Sequence, residues 1–280
     1  MKLDGRLVAA SYRNELKSEI ENIQNTKGIQ PCLAVILVGD DPASQVYVGG
    51  KIKACQEVGI LSMEFRFPVG VEKEKLQKKI TELNEDPNVH GILVQLPLPH
   101  HLDESEVISW ISPKKDVDGL TSENMGLFWR GQPRVVACTP LGVMKILEYY
   151  DLNVSGMKAV VVGRSNIVGK PMALLLQNAG ATVSVCHSKT EDLKFYTQNA
   201  DIVVAALGRP QFLKKEHFNK NALVVDVGMH RVISTGKLCG DVDPEGLEGW
   251  IKAITPVPGG VGPMTITMLL HNTLRLATLF

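Results

Sequence analysis

The sequence predicts two α/β domains, each built around a parallel β-sheet. Short apolar runs, typical of strands buried on both faces, alternate with segments of helical periodicity. This alternation ends before the loop-rich stretch 112–138 and restarts after it. Strands that alternate with helices form parallel sheets through right-handed crossovers. A length of 280 residues corresponds to about two domains.

The first domain is predicted to comprise residues 1–138. Its predicted helices repeat apolar residues every three to four positions, as Val8, Leu16 and Ile20 do. Its predicted strands are 33–38, 63–67 and 91–96, and its predicted helices are 8–23, 44–55 and 72–84. Pro97 ends the third strand because proline has no N–H to donate to the ladder.

The second domain is predicted to comprise residues 139–263. Thr139 as N-cap and Pro140 at the first helical position open a helix. The predicted strands are 159–162, 182–186, 201–205 and 222–227, with helices at 168–179 and 191–199. The apolar segment 264–280 is predicted to be a helix that follows a Pro/Gly-rich loop and returns to the first domain.

Composition excludes several classes of protein. With 44% hydrophobic and 21% charged residues, the chain resembles a globular protein. Lys plus Arg and Asp plus Glu each number 30, so bulk charge indicates neither a nucleic-acid nor a membrane partner. The five cysteines are scattered, without a C-x-x-C pair, which argues against a disulfide framework and against a zinc site. The chain lacks an apolar signal segment, so we expect a cytoplasmic protein.

A glycine-rich turn joins the first strand and helix of the second domain, in the sequence Gly163-Arg164-Ser165-Asn166-Ile167-Val168-Gly169. Glycine lets the backbone approach a ligand closely, and free N–H groups at a helix start favour anions. The turn is therefore where a dinucleotide would bind in an open parallel sheet. Because Gly163 and Gly169 are six positions apart, the pattern is not G-x-G-x-x-G, and a purely structural turn is the alternative.

The end of the next strand favours NADP over NAD. NAD sites usually place an acidic residue there to accept from the ribose 2′-hydroxyl. This chain has Cys186-His187-Ser188-Lys189 instead, with Arg164 on the neighbouring turn. Cations and hydroxyl groups are what a 2′-phosphate requires. The alternative is that Ser188 caps the next helix and Lys189 is solvated.

Lys51 is the candidate proton carrier of the first domain. On a helix, Tyr47, Lys51, Cys55 and Val58 share one face. Partial desolvation among these groups is expected to lower the pKa of Lys51 toward the range useful for proton transfer. The alternative is a surface lysine whose stem lies along an apolar face.

Several longer motifs run in order along nearly the whole chain. They are Ser44-x-x-Tyr47-Val48-x-x-Lys51-x-Lys53, Val94-Gln95-Leu96-Pro97-Leu98-Pro99, Lys115-Asp116-Val117-Asp118-Gly119, Cys138-Thr139-Pro140, Gly163-Arg164-Ser165-x-Ile167-Val168-Gly169-x-Pro171, and residues 256–265. Together they resemble the bifunctional methylenetetrahydrofolate dehydrogenase/methenyltetrahydrofolate cyclohydrolases of one-carbon metabolism. The resemblance implies two α/β domains around a cleft, the second Rossmann-like and NADP-binding, and a homodimer with a folate substrate.

The same resemblance implies roles for individual residues. Lys51 resembles the catalytic lysine, Gln95 the glutamine that orients it, Tyr47 the tyrosine that stacks near the folate ring and Asp118 the carboxylate that holds the pterin. All four are implied to belong to the catalytic site. The implied substrate-binding residues also include Val94, Leu96, Pro258, Gly259, Gly260, Val261 and Gly262. The implied cofactor-binding residues are Gly163, Arg164, Ser165, Ser188 and Met229, and no metal is implied.

Other interpretations stay open at this level. Gln95 at a strand end could cap unpaired backbone groups, and Asp118-Gly119 is an ordinary turn pair. Gly49 and Gly50 each weaken a helix by roughly 1 kcal/mol relative to alanine, which affects how rigidly Lys51 is held. The rival functions are an NAD-dependent enzyme with dehydrogenase activity alone and a non-catalytic dinucleotide-binding regulator.

Overall fold

The computed structural model describes residues 1–232 and 236–279, so Phe280, the last residue of the predicted terminal helix, lies outside the described residues. The chain forms two compact units. Ser11–Cys138 with Ile266–Phe280 is called here the first unit, and Met1–Ala10 with Thr139–Thr265 the second unit.

The grouping of Met1–Ala10 differs from the predicted domain 1–138. Leu3 N donates to Ile254 O at 2.8 Å, and Arg6 N donates to Gly259 O at 3.2 Å. These backbone bonds attach the first residues to the end of the second unit. The remaining predicted boundaries stay predictions.

The first half of the chain alternates helices and strands as predicted. Its elements are α1 (Gly5–Lys27), β1 (Cys32–Val38), α2 (Pro42–Val58), β2 (Leu61–Phe67), α3 (Lys73–Glu85), β3 (Gly91–Val94), α4 (Glu104–Ser109) and α5 (Ser122–Trp129). The three strands are parallel in the order β2-β1-β3, so β1 is central. Every residue of β1 is buried, which explains its continuous apolar sequence.

Two predictions for this half need correction. The third strand ends at Val94, so Gln95 and Leu96 lie in the loop after β3 and not in the strand. Helix α5 lies within a stretch that was predicted to be loop-rich. Its Asn124 and Phe128 are buried at helical spacing, but eight residues that include Gly126 give a weak periodic signal.

The second half contains a five-stranded parallel sheet in the order β10-β7-β6-β4-β5. Its elements are α6 (Cys138–Tyr149), β4 (Lys158–Val162), α7 (Gly169–Asn178), β5 (Thr182–Cys186), α8 (Leu193–Thr197), β6 (Ile202–Ala205), β7 (Leu223–Asp226), β8 (His230–Arg231), β9 (Leu238–Cys239), β10 (Ala253–Ile254) and α9 (Val261–Leu279). Strands β8 and β9 pair antiparallel with each other. Because β5 and β6 flank β4 on opposite sides, a topological switch point lies at the carboxyl end of β4.

The ends of two helices differ from the predictions. Helix α6 begins at Cys138, so Thr139 lies inside it rather than at its N-cap. The Thr139 hydroxyl is instead hydrogen-bonded to the Thr265 hydroxyl at 3.0 Å. Helix α9 begins at Val261, three residues before the predicted start, and its part from Ile266 onward groups with the first unit as expected. Within residues 1–232 and 236–279, no helix is long and apolar enough to cross a membrane.

Candidate active site

Lys51 is held by a neutral side chain. It lies on α2, which the Asp41 side chain caps by accepting from Ser44 N at 2.7 Å. Lys51 Nζ donates to Gln95 Oε1 at 2.9 Å. Burial lowers the pKa of Lys51, while the negative charge of Asp118 opposes that shift. The amine is therefore easier to deprotonate than a surface lysine, in the direction that the helical face predicted.

Gln95 is fixed from both sides. Its backbone N donates to Ile36 O at 2.9 Å, continuing the β1–β3 pairing by one bond. Its Nε2 donates to Leu96 O at 2.5 Å. With the amide nitrogen committed to the backbone, Oε1 is the end that faces Lys51. Gln95 thus satisfies a backbone carbonyl, as the alternative held, and also accepts a hydrogen bond from Lys51.

Asp118 lies on a segment that buried polar groups hold in place. The neighbouring Asp116 is buried, and its Oδ2 accepts from Thr121 N at 2.8 Å and from Asn124 Nδ2 at 2.9 Å. Arg134 in turn donates to Asn124 Oδ1 at 2.7 Å. This network fixes the loop in which Asp118 precedes Gly119, whose φ of 68° confirms the turn.

The electrostatics of Asp118 and Lys51 are linked. Burial raises the pKa of Asp118, and the Lys51 ammonium and a hydrogen bond from the Cys138 thiol oppose that rise. Burial also raises the pKa of the Cys138 thiol well above its usual value, and the Asp118 charge adds to that rise. The thiol therefore stays protonated and serves as a donor.

Cys138 and Asn272 are residues to which the sequence analysis gave no role. Asn272 is buried on α9, and its Nδ2 donates to Val117 O at 2.7 Å and to Val136 O at 2.9 Å. These bonds tie the residue before Asp118 to the terminal helix. A lone asparagine in an apolar helix was the available signal, since a buried amide requires partners.

The other predicted folate residues of the first unit lie near this centre. Tyr47 is one helical turn before Lys51 on α2 and is 36% exposed. Val94 and Leu96 line a small cavity of about 10 Å³ together with Asp118. The structure thus brings Lys51 and Gln95 together, and Val94 and Leu96 to Asp118.

The predicted folate loop 258–262 belongs to the second unit, where it leads into α9. Gly259 has a φ of 104°, which favours glycine. A Cβ on Gly260 would lie 2.6 Å from Pro256 O, so only glycine fits there. A Cβ on Gly262 would lie 3.0 Å from Met229 Cε, which places Met229 beside this loop. The folate contact of Pro258, Gly259, Gly260, Val261 and Gly262 stays a prediction.

A cavity of about 510 Å³ lies at the switch point of the larger sheet. It is lined by residues that follow β4, β5 and β6, namely Gly163, Arg164, Ser165, His187, Ser188, Thr190, Ala206, Leu207 and Arg209, among others. Gly163 has a φ of 134°, and a Cβ there would lie 2.1 Å from Ala206 O. The close approach of these two loops therefore requires glycine.

Ser165 modifies the predicted anion site. Its Oγ accepts from Val168 N at 3.2 Å and from Gly169 N at 3.3 Å. Two of the N–H groups at the start of α7 are thus satisfied by the chain itself, so the predicted anion site has fewer free backbone donors.

Ser188 lines the cavity and does not cap the next helix. Asp192 is the N-cap of α8 and accepts from Phe195 N at 3.0 Å, so the capping alternative for Ser188 is wrong. Lys189 is exposed, as that alternative expected. Arg209 is a cavity residue that the sequence analysis missed, because a single arginine in a loop carries no motif. Met229 is not among the residues that line this cavity.

Two family models match the chain. Residues 3–118 match the catalytic domain of tetrahydrofolate dehydrogenase/cyclohydrolase, and residues 137–279 match its NAD(P)-binding domain. The bifunctional protein FolD of Bdellovibrio bacteriovorus is 54% identical over 275 residues, which cover 98% of this chain and 96% of that protein.

Solved structures of similar proteins share the fold. The bifunctional FolD enzyme of Campylobacter jejuni has 48% sequence identity and a TM-score of 0.95, covering 99% of this chain and 98% of that one. The Trypanosoma brucei methylenetetrahydrofolate dehydrogenase-cyclohydrolase, solved with NADP and an inhibitor, has 38% identity and a TM-score of 0.95. The alignment with that protein covers 99% of this chain and 97% of the other.

Proposed function

We propose a mechanism for this chain on the premise that it belongs to the tetrahydrofolate dehydrogenase/cyclohydrolase family. The protein oxidises 5,10-methylenetetrahydrofolate to 5,10-methenyltetrahydrofolate with NADP and then hydrolyses the product to 10-formyltetrahydrofolate. The observation that carries the hydrolytic half is the 2.9 Å hydrogen bond between Lys51 Nζ and Gln95 Oε1. It joins a lysine of lowered pKa to a group that never ionises.

In the first reaction the protein has to bind the folate substrate and NADP and align them with each other. A nitrogen lone pair of the substrate expels the hydride from the methylene carbon, so no protein base is required. NADP supplies the hydride acceptor when bound. The residues of the 510 Å³ cavity suit it, because Arg164 and Ser188 offer a cation and a hydroxyl for phosphate oxygens and Gly163 leaves the backbone uncovered.

The second reaction requires a group that moves a proton. Water attacks the methenyl carbon and loses a proton, and the resulting hydroxyl loses its proton as the C=O bond forms. The ring nitrogen gains one proton as its bond to that carbon breaks, so one proton is released overall. We assign the transfer to Lys51, whose pKa burial lowers. The methenyl substrate is a cation, so its binding lowers the pKa of Lys51 further.

Gln95 suits this role better than an acid would. A carboxylate 2.9 Å from the amine would stabilise the ammonium form and oppose proton abstraction. The amide accepts from the amine in either protonation state, so Lys51 keeps its direction while its charge changes.

Asp118 is assigned to the pterin. The aminopyrimidine edge of a pterin presents adjacent donors, which one carboxylate accepts as a pair. Burial raises the pKa of Asp118, and donors from the substrate would favour its ionised form. A hydrogen bond donated by the pterin to Asp118 also offsets the negative charge that favours the protonated form of Lys51. Folate binding and activation of the lysine are therefore coupled through this carboxylate.

One assay separates this function from its rivals. The protein is mixed with methylenetetrahydrofolate and NADP, and the absorbance of the methenyl product is followed as it forms and decays. Formation and enzymatic decay together are expected. Formation with NAD and no accelerated decay would instead identify an enzyme with dehydrogenase activity alone. Neither phase would identify a non-catalytic dinucleotide-binding regulator.

We further propose a homodimer in the cytoplasm. The dimer is supported by the family resemblance, and the compartment by the scattered cysteines, each of which is a free thiol. Sedimentation equilibrium at micromolar concentration tests the first proposal, since a monomer mass would contradict it. Fractionation of the native cell tests the second.

A further inference from the structure

Asp241 is a buried carboxylate that the mechanism above does not use. It has no exposed surface, yet it accepts from three consecutive backbone N–H groups. Leu207 N and Gly208 N donate to its Oδ2 at 2.6 and 3.1 Å, and Arg209 N donates to its Oδ1 at 2.9 Å. His230 Nε2 lies 2.7 Å from the same Oδ1. One side chain thus holds a whole turn.

Asp241 is itself fixed in position. Its backbone N donates to Asp226 Oδ1 at 2.9 Å, and Val242 N donates to Asp226 Oδ2 at the same distance. A Cβ on Gly240 would lie 1.9 Å from Asp226 Oδ2, and a Cβ on Gly228 would lie 2.5 Å from Asp241 Cγ. Glycines at both positions let the chain close around the two carboxylates. The Asp241 side chain is therefore a rigid anchor.

The anchored turn forms one wall of the 510 Å³ cavity. Ala206, Leu207 and Arg209 line it, beside the Gly163 turn, where an added Cβ would lie 2.1 Å from Ala206 O. The Arg209 guanidinium lies 5.4 Å from the centre of the Phe212 ring, a cation–π contact that restrains its direction. Backbone bonds to Asp241 and the ring of Phe212 together set where this exposed cation lies.

We infer that Asp241 is a positioning residue for the cofactor and that it acts through Arg209, which binds a phosphate group of NADP. The inference deepens the proposed function and rests on it. Arg164 and Arg209 then approach the dinucleotide from the loops after β4 and β6. Two cations suit a ligand that carries several phosphate charges.

The first test is Asp241→Asn. The amide places an N–H₂ donor among backbone donors that require an acceptor, so the turn shifts. We expect the dissociation constant for NADP, measured by fluorescence titration, to rise about tenfold or more, as for the loss of a hydrogen bond to a charged group. Hydrolysis of added methenyltetrahydrofolate needs no NADP, so its rate is expected to stay within about twofold.

The matched control is Asp243→Asn, two positions along, where the carboxylate accepts from Glu245 N at 3.1 Å and does not hold the cavity turn. It is expected to leave NADP binding unchanged. If Asp241→Asn does not fold, Arg209→Gln carries the test alone, because Arg209 is exposed and its loss spares the core.

Arg209→Gln is expected to weaken NADP by a similar factor without lowering the melting temperature. A loss of affinity for NADP with little loss of affinity for NAD assigns Arg209 to the 2′-phosphate. An equal loss of affinity for both cofactors assigns it to the diphosphate. In the double variant, the effect of Asp241→Asn on NADP binding is expected largely to disappear.

Three results would overturn the inference. They are unchanged NADP binding in Asp241→Asn, unchanged NADP binding in Arg209→Gln, and fully additive effects in the double variant. An unmodified protein that binds NADP but lacks both activities would refute the proposed function instead, and NADP titration of the variants would still test the role of Asp241.

Discussion

Replacing Lys51 by glutamine separates the two reactions. Glutamine can still donate to Gln95 Oε1, so the local hydrogen bond is retained in kind while the titratable amine is lost. A general acid–base group contributes about 10²- to 10⁴-fold to a rate. We therefore expect the cyclohydrolase kcat to fall by that factor, which corresponds to about 2.7–5.5 kcal/mol of transition-state stabilisation. The dehydrogenase kcat is expected to fall by less than about tenfold, because hydride transfer uses no protein base.

A second effect follows from the linked charges. The Lys51 ammonium opposes the rise in the pKa of Asp118 that burial causes. Without Lys51 the carboxyl is more readily protonated and accepts less well from the pterin. The KM for the folate substrate is expected to rise in both reactions, and the KM for NADP to stay constant. The two kinetic constants thus report different consequences of one change.

The assay follows methylenetetrahydrofolate oxidation and methenyltetrahydrofolate hydrolysis in separate cuvettes, each across a range of pH. Because burial lowers the pKa of Lys51, its neutral form grows as pH rises through that pKa, and hydrolysis should lose rate on the acid side. This limb is expected to vanish in Lys51→Gln. The rate of non-enzymatic hydrolysis is subtracted at each pH before the unmodified protein and Lys51→Gln are compared.

Two further variants make the test decisive. Lys51→Arg keeps the positive charge but cannot deprotonate, so it is expected to lose hydrolysis as fully as the glutamine variant. Lys75→Gln removes an exposed lysine from α3 and should change neither reaction. Equal and mild loss of both activities in Lys51→Gln, or full hydrolysis in Lys51→Arg, would refute the assignment of proton transfer.

Other perturbations have equally defined outcomes. Arg164→Ala is expected to raise the KM for NADP about 10- to 100-fold and that for NAD far less, in steady-state kinetics with each cofactor; unchanged preference would contradict the 2′-phosphate role. Gln95→Glu should raise the pKa of Lys51 and move the acid limb of hydrolysis to higher pH, whereas an unshifted profile would show that the pair is not coupled. Gly49→Ala should raise the free energy of unfolding by about 1 kcal/mol in urea titration, since an added Cβ meets nothing within 4 Å in an intact helix. Destabilisation by that change would show that the helix needs the glycine.

Much of the fold was predictable because periodicity reports burial. β1 is apolar throughout since it is covered on both faces, and β5 begins and ends at the predicted residues. The short elements were not predictable, because they contain too few residues to show a period. Strands β8 and β9 have two residues each, too few for any period to show. Helix α5 was hidden by its length and by its internal glycine.

The candidate site contains residues that sequence motifs predicted and residues that no motif indicated. Lys51 and Gln95 were predicted from motifs although 44 residues separate them in the sequence, and the structure places their side chains within hydrogen-bond distance, at 2.9 Å. Asn272 and Asp241 were not identified, because their importance lies in backbone groups more than 30 residues away that they bind. Such bonds leave no local pattern, since the partner is a main-chain group that every residue possesses.

The arrangement of donors also explains why one chain can support a reaction that needs a base and one that does not. The proposed base is a lysine whose partner is neutral, so losing its proton does not break its hydrogen bond. The groups proposed to hold the cofactor's phosphates include two arginines, whose planar guanidinium groups suit phosphate oxygens. Titration of Lys51 should therefore affect hydrolysis. Lys51→Gln and Asp241→Asn should accordingly produce opposite patterns, the first losing hydrolysis with NADP binding intact, the second losing NADP binding with hydrolysis intact.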